Sequence, residues 1–358
     1  MSGIQLNTIL SQFKEYAPLY LADQSWDNVG VLVEPSENNP IIEKILFTND
    51  LTEPVLDEAI ERQAQLIISY HPPIFSPLKR LTQSNWKERI ILKCIKHGIT
   101  VYSPHTSWDA VDNGVNQWLI SAFGTNEQDY TSRPIEQIKE NDTPSKSQHL
   151  LTVTLPKEQN INLIKDIKDA TVINEISCTT SNGPAIQVSI SCSSRAVSSI
   201  MDLYRNEDNI LKTIQIVDVQ KPLDSRQGYG RLIQLKESRT IREAIENVKT
   251  LTGLKHIRLA LANNKTIDSP IKTIAVCAGS GSSVFSGARN VDLQLTGELS
   301  HHAVLDAIHR GTTVILCDHT NTERGFLNII KKHFEQIWNE NQVKLFISER
   351  DKDPLEIV

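Results

Sequence analysis

Short apolar runs in the first third of the chain alternate with polar loops and with stretches of amphipathic helical spacing. Such alternation is typical of parallel strands joined by crossover helices, so it predicts an α/β sheet. The predicted elements in this region are strands at Lys44–Thr48, 65–69 and 99–103, and helices at 4–13, 53–64, Trp86–His97 and 115–123.

The same alternation returns in the last third of the chain. The predicted elements there are strands at 232–235, 257–262, 273–277, 293–296, 313–317 and 343–348, and helices at 241–251, 303–309 and about 322–339. The sequence therefore predicts an α/β core of two related halves that are discontinuous along the chain, with residues 343–348 closing the sheet.

A different pattern separates the two halves. Residues 124–149 are polar and predict a linker or a long loop. Beyond this segment, short elements predict a small inserted α+β domain, and the alternative is a continuation of one larger sheet. We expect a core at 1–140 and 223–358, and an inserted domain at 141–222 with a regulatory or shape role. The predicted elements of the insert are strands at 150–155, Ala185–Cys192 and 214–219, and helices at 161–169 and 196–206.

Composition narrows the class of protein. A chain of 358 residues exceeds one ordinary compact domain, and a net charge of -6 argues against a nucleic-acid surface built on bulk positive charge. The five cysteines are scattered and form no CxxC pair, which argues against a zinc finger and a disulfide framework and favours a reducing compartment. No run approaches the roughly 18 apolar residues of a membrane span.

Histidines and carboxylates follow several predicted strands. His71, Asp109, His319 and Glu323 each lie within a few residues of the carboxyl end of a strand, the edge at which open α/β sheets bind ligands. Neutral imidazoles and carboxylates are ligands for divalent cations. The sequence therefore predicts a strand-end metal site.

Spacing adds to this prediction, although each residue has a simpler explanation. His319 and Glu323 are four residues apart at the start of a predicted helix and would share one face, and His105 and Asp109 have the same spacing. Taken singly, His71 could complete a turn, and His105 or Asp109 could cap a helix. Three further features are less specific. Asp318 could orient His319 or cap the last helix, and GELSHH (297–302) could begin a helix. The loop Gly279-Ser280-Gly281 could hold a phosphate or carboxylate group of a ligand.

Several motifs occurring in order resemble the NIF-three-like family, which is also called GTP cyclohydrolase I type 2-like. The C-terminal stretch 348–358 is similar to its eukaryotic branch. The motifs are WDNVG (26–30), SYHPPIF (69–75), SPHTSWDA (103–110), GYGR (228–231), CAGSGSS (277–283), TGELSHH (296–302) and HTNTERGF (319–326).

The resemblance implies an α/β core with a dinuclear divalent metal site, an inserted domain in longer members, and homo-oligomers from dimers to hexamers. His71, Asp109, His319 and Glu323 match the metal ligands, with Asp109 or Glu323 as the bridge. Bacterial members carry two consecutive histidines where this chain has Tyr70 and His71. A second ion would then depend on another histidine: His105, His301 or His302.

The function that the resemblance implies is that of a metal-dependent hydrolase with a nucleotide-like substrate and Zn²⁺, Mn²⁺ or Fe²⁺ as cofactor, one or two ions per subunit. Purine-ring opening and phosphoester cleavage are the candidate reactions. Glu298, His301 and His302 are the candidates for proton transfer, and Gly279, Ser280 and Gly281 for substrate binding. The alternatives are a cytoplasmic and nuclear partner of transcriptional co-regulators, and a protein of metal storage or insertion.

Overall fold

The computed structural model describes residues 3–36, 38–125, 128–139, 149–156, 173–180, 185–218, 223–338 and 342–357, with 173–180 and 195 described by their backbone alone. The chain divides into two compact units. One contains residues 1–138 and 224–358, and the other contains residues 139–223.

Strands and helices alternate through most of the described chain. The strands are β1 Ile4–Gln5, β2 Gly30–Val33, β3 Ile41–Ile42, β4 Lys44–Thr48, β5 Leu66–Ser69, β6 Thr100–Ser103, β7 Tyr130–Lys139, β8 His149–Pro156, β9 Ile173–Thr180, β10 Ala185–Cys192, β11 Gln215–Asp218, β12 Leu223–Thr240, β13 Arg258–Ala260, β14 Pro270–Ser280, β15 Leu293–Glu298, β16 Thr313–Leu316 and β17 Lys344–Ile347. The α-helices are α1 Leu6–Tyr16, α2 Glu53–Glu61, α3 Trp86–His97, α4 Thr106–Ala110, α5 Val115–Ile120, α6 Ser194–Leu203, α7 Asp208–Leu211, α8 Ile241–Thr252, α9 His301–His309 and α10 Phe326–Ile337.

A five-stranded sheet in the first unit has the order β17-β4-β5-β6-β2. Its strands β17, β4, β5 and β6 are parallel, and β2 runs antiparallel to β6. All four residues of β5 and of β6 are buried, as expected for central parallel strands that helices cover on both faces. The predicted α/β fold is confirmed.

A six-stranded sheet in the same unit has the order β13-β16-β15-β14-β12-β7. Its central strands β14, β15 and β16 are parallel, whereas β12 and β13 are antiparallel to their neighbours. The register pairs Ser280 with Glu298 and Thr296 with Leu316, so the carboxyl ends of the three parallel strands are aligned. This alignment places the glycine loop beside the TGELSHH motif.

The two halves of the chain are joined by their last strand and by a shared aromatic core. β17 pairs with β4 and so returns to the sheet of the first half. Phe13 of α1 lies 4.3 Å from Phe334 and 5.8 Å from Trp338 between ring centroids, which packs the first helix against the last one. Aromatic pairs at these distances add to the stabilisation from burial alone.

The second unit contains an antiparallel sheet of order β11-β8-β10-β9. Leu151, Val153 and Leu155 alternate inward on β8, and together with the apolar residues of β10 they form a separate core covered by α6 and α7. The sequence pattern predicted no strand at β9. The helix predicted at 161–169 lies outside the described residues. In the part of the chain that the structure describes, no helix is both long and apolar enough to traverse a bilayer.

The polar segment 124–149 is not a linker throughout, and that prediction was wrong for β7. This strand lies at the edge of the six-stranded sheet. Thr131, Ser132 and Arg133 are exposed there, and Pro134 has no backbone N–H to donate to a neighbouring strand. An edge strand needs no apolar alternation on its open side and tolerates proline. Polar composition therefore concealed a strand.

The C-terminal segment is anchored by one buried carboxylate, Glu58 of α2. Its Oε2 accepts hydrogen bonds from the Ser348 hydroxyl at 2.6 Å and from the Glu349 and Arg350 backbone N–H groups at 3.1 Å each. Burial alone would raise the pKa of Glu58, but these donors and Arg62 outweigh it and hold the pKa below the ordinary 4.5. The ionised form is therefore the one that stabilises the fold.

Because the pKa of Glu58 is depressed on folding, its contribution is present above about pH 4.5 and is lost as the pH falls through the folded-state value. Glu58→Gln is expected to lower the free energy of unfolding by about 1–3 kcal/mol at pH 7, since it replaces a charged acceptor. Urea denaturation at pH 7 and below pH 4 measures this, and the difference from wild type should shrink at the lower pH. Glu246→Gln, an exposed control, should stay within about 0.5 kcal/mol; an equal loss at both pH values would contradict the prediction.

Candidate metal centre

Loops at the strand ends of both sheets converge on one cluster. His71 follows β5, and His319 and Glu323 follow β16. One ligand atom from each of these residues lies within 4.8 Å of the other two. His71 Nε2 is 3.5 Å from Glu323 Oε2, and His319 Nε2 is 3.3 Å from Glu323 Oε1. The buried Glu323 carboxylate therefore lies between two imidazoles.

Each histidine near the cluster has a carboxylate on its Nδ1 atom. Asp50 Oδ1 is 2.9 Å from His71, and Glu298 Oε1 is 2.9 Å from His319. Asp27 Oδ1 is 2.6 Å from the nearby His105. A carboxylate on Nδ1 fixes the ring orientation and leaves Nε2 as the ligand atom, which is the usual arrangement behind a metal-binding histidine.

The carboxylate and the two imidazoles of the cluster stabilise each other's charged forms. Burial alone would raise the pKa of Glu323, but His71, His319 and the Asn49 amide outweigh it and hold that pKa below its ordinary value. The hydrogen bond to Glu323, against the opposing effect of burial, raises the pKa of His319 to about 10. Because a metal ligand must be a neutral imidazole, cation binding would displace protons from this cluster.

The pairing of His319 and Glu323 does not arise from an α-helix. A 3₁₀ turn over Thr320–Thr322 joins them, and α10 begins only at Phe326. The predicted helix from about residue 322 was therefore wrong at its start, although the two side chains do meet. Asp318 neither orients His319 nor caps that helix: its Oδ1 accepts a hydrogen bond from Arg258 at 2.6 Å.

Asp109 and His105 lie beside the cluster but do not join it. In the described residues, the group whose ligand atoms all lie within 4.8 Å contains neither of them. The His105 ring centroid is 5.4 Å from that of His71, and Asp109 Oδ1 accepts a hydrogen bond from the Tyr70 hydroxyl at 2.6 Å. Burial raises the pKa of Asp109 to about 6. The buried phenol of Tyr70 thus holds the carboxylate predicted as a bridge.

The glycine loop lines the cluster. A Cβ atom added to Gly279 would lie 2.6 Å from Glu323 Oε1 and 2.9 Å from His319 Nε2, and its φ of +61° also favours glycine. The Gly279 N–H donates to the Thr322 hydroxyl at 2.8 Å, so it is committed within the protein. Ser280 is exposed, and Gly281 packs against Phe285 and Thr296. Gly279 therefore keeps space open beside the His319 and Glu323 side chains.

The three candidates for proton transfer differ in position. Glu298 is exposed and contacts His319 through its Oε1 atom. His301 and His302 begin α9, are exposed, and have ring centroids 5.5 Å apart. In the described part of the chain, no hydrogen bond or ring contact joins either imidazole to His71 or His319. Glu298 is thus the candidate among them that touches the cluster.

Sequence reasoning missed the residues that support the ligands. Asn49 Nδ2 donates to Glu323 Oε2 at 3.0 Å, and Asp50 is the partner of His71. Both follow the end of β4, so the strand-end rule could have found them. Asp351 accepts the Asn49 N–H at 2.6 Å and Asp353 accepts the Thr320 hydroxyl at 2.7 Å, so the C-terminal segment supports the site loops.

The comparison with known families agrees with these strand-end motifs. The profile of Duf34/NIF3 (NGG1p interacting factor 3) matches residues 4–354. The chain belongs to this family. NIF3-like protein 1 of Bos taurus is 40% identical over 361 residues, which cover 100% of this chain and 93% of that protein.

One further relative and one solved structure extend the comparison. NGG1-interacting factor 3 of Saccharomyces cerevisiae is 29% identical over 363 residues, covering 99% of this chain and 97% of that protein. The crystal structure of Staphylococcus aureus protein SA1388 superposes with a TM-score of 0.76 at 21% identity, with 100% of both chains covered. At that identity the structural likeness shows a shared fold alone.

Proposed function

We propose that this NIF3 family protein is a divalent-metal-dependent hydrolase that acts on a nucleotide-like substrate. The observation that carries the proposal is the His71, His319 and Glu323 cluster, with a carboxylate on Nδ1 of each histidine. Two imidazoles and a carboxylate without thiolates suit Zn²⁺, Mn²⁺ or Fe²⁺. Asp109 and His105 lie next to the cluster as ligands for a second ion.

A bound divalent cation supplies Lewis acidity and lowers the pKa of a water molecule towards neutrality. The residues of the chain then have distinct tasks. Asp50 and Glu298 hold the two imidazoles in place. Glu298, which touches the cluster, also transfers protons, and the exposed His301 and His302 are the further candidates for this task. The exposed Ser280, between Gly279 and Gly281, contacts the substrate. Residues 141–222 are an inserted domain with a regulatory or shape role, and the protein works as a homo-oligomer.

A second candidate function is a binding role. The yeast relative is named NGG1-interacting factor 3. This name supports a proposal in which the chain is a partner of transcriptional co-regulators in the cytoplasm and nucleus, with a structural metal ion.

Asp109→Asn separates these functions. We expect it to lower nucleotide hydrolysis at least about tenfold while partner binding stays intact, because Asn keeps the hydrogen bond from Tyr70 but lacks the negative charge. The assay follows hydrolysis of a nucleotide panel by dialysed protein after Zn²⁺, Mn²⁺ or Fe²⁺ is restored. Asp112→Asn, three residues further along the chain, is the control and should change neither nucleotide hydrolysis nor partner binding. Absence of hydrolysis by wild type with every metal would overturn the hydrolase proposal, and intact partner binding would then favour the second function.

A further inference from the structure

Two large aromatic side chains lie exposed next to the metal-ligand loops. Trp26 is 51% exposed and Phe75 is 44% exposed, and their ring centroids are 5.9 Å apart with 50° between the planes. Single exposed aromatics are ordinary, but an adjacent pair at the edge of a polar site marks a binding surface.

The loop that carries Trp26 is fixed in place on both sides. Asp27 Oδ1 is 2.6 Å from His105 Nδ1, and the Asp27 carboxylate also accepts hydrogen bonds from Thr106. The Asn28 side-chain amide donates to the Ile74 carbonyl at 2.6 Å, directly before Phe75. Hydrogen bonds of the neighbouring residues therefore hold the loop of Trp26 against the loops that carry Phe75 and His105.

A row of rings connects this aromatic pair to the metal cluster. The Trp26 and Phe75 centroids lie 5.9 Å and 6.4 Å from that of His105, each with a nearly perpendicular plane. His105 is 5.4 Å from His71, and His71 is 5.3 Å from His319. A ligand that contacts Trp26 and Phe75 can therefore extend a polar end to the cluster.

We propose that Trp26 and Phe75 form the subsite that recognises the planar heteroaromatic ring of the substrate. The adjoining groups are imidazoles and carboxylates, so the ligand must combine a flat apolar part with a polar part. A nucleobase attached to a sugar phosphate has this chemistry, and bases stack on aromatic side chains without sequence preference. The inference rests on the proposed function, which places the reacting group of the same ligand at His71, His319 and Glu323.

Calorimetric titration with guanosine monophosphate and with ribose 5-phosphate tests the subsite, since only the first has a planar ring. Trp26→Leu and Phe75→Leu should each weaken the nucleotide affinity by about 5- to 150-fold, as expected for loss of one stacking contact, and leave ribose 5-phosphate unchanged. Trp26→Phe should retain most of the affinity. Trp86→Leu removes an exposed tryptophan whose ring contact is the Lys87 ammonium, and it should have no effect.

The titrations are carried out on metal-free and on Zn²⁺-loaded protein, so that the subsite and the hydrolase proposal can fail separately. Weaker nucleotide binding by Trp26→Leu in a protein that hydrolyses nothing would support the subsite and remove the hydrolase. Equal binding of the nucleotide and ribose 5-phosphate, including no measurable binding of either, would overturn the subsite. Unchanged nucleotide affinity in both Trp26→Leu and Phe75→Leu would also overturn the subsite.

Discussion

Glu323→Gln is expected to lower the affinity of the protein for Zn²⁺ or Mn²⁺ by at least about 100-fold. The buried Glu323 carboxylate lies between His71 Nε2 and His319 Nε2, and it supplies the negative charge of the three-residue cluster. Glutamine keeps the size of the side chain but donates through its amide and carries no charge. Changing a residue that only supports a ligand costs about 10- to 100-fold in affinity, so loss of a ligand should exceed that range.

Competition with a chromogenic chelator measures this affinity. Glu298→Gln provides a graded comparison, because Glu298 acts through His319 and its loss should cost about tenfold. Glu349→Gln, which removes an exposed glutamate paired with Arg62, should leave the affinity unchanged. Equal affinity of wild type and Glu323→Gln would show that the metal is held elsewhere.

The strand-end rule explains why much of the site could be predicted from the sequence. The sequence predicts His71 and His319 as ligands because buried runs of β-branched and other apolar residues end a few residues before them, and a parallel sheet collects such ends on one edge. The i, i+4 spacing of His319 and Glu323 was also informative, although a 3₁₀ turn brings them together. Local pattern and topology therefore predicted the three residues that lie together, but also Asp109 and His105, which do not join them.

Supporting residues that do not follow a strand, such as Asp27, could not be predicted in this way. Asp27 and His105 are 78 positions apart, and their contact depends on how the loop before β2 packs against the loop after β6. The return of β17 to the first sheet likewise depends on long-range pairing with β4. Aspartate and glutamate are common in loops, so the sequence around a carboxylate does not indicate which histidine it contacts in the fold.

Tyr70 shows how one substitution changes the meaning of a motif. The resemblance places a histidine of bacterial relatives at this position, whereas here a buried phenol donates to Asp109 at 2.6 Å. Burial raises the pKa of Tyr70 well above its ordinary value of 10, so the hydroxyl stays protonated. A protonated phenol positions Asp109 but offers a cation no charge, which favours the three-residue cluster as the primary site.

The second large effect is expected from the buried guanidinium of Arg231, in the GYGR motif. Arg231 is 1% exposed, and one of its Nη atoms donates to the Gly228 and Gly230 carbonyls at 2.6 and 2.9 Å. The other donates to the Val111 carbonyl at 3.0 Å, just beyond Asp109. Burial lowers its pKa to about 10, which still leaves the side chain charged at neutral pH. Backbone carbonyls thus supply the acceptors of a buried cation.

Arg231→Ala is expected to lower the free energy of unfolding by about 3–5 kcal/mol, because it leaves buried carbonyls without donors and opens a cavity between β12 and the loop after α4. Arg231→Lys should recover only part of this loss, since one ammonium cannot reach both groups of carbonyls that the planar guanidinium joins. Urea denaturation of the metal-free protein measures both variants. Arg242→Ala, which removes an exposed arginine paired with Asp268, should cost less than about 1 kcal/mol. If Arg231→Ala were no more destabilising than this control, the guanidinium would not be what holds the Asp109 loop to β12.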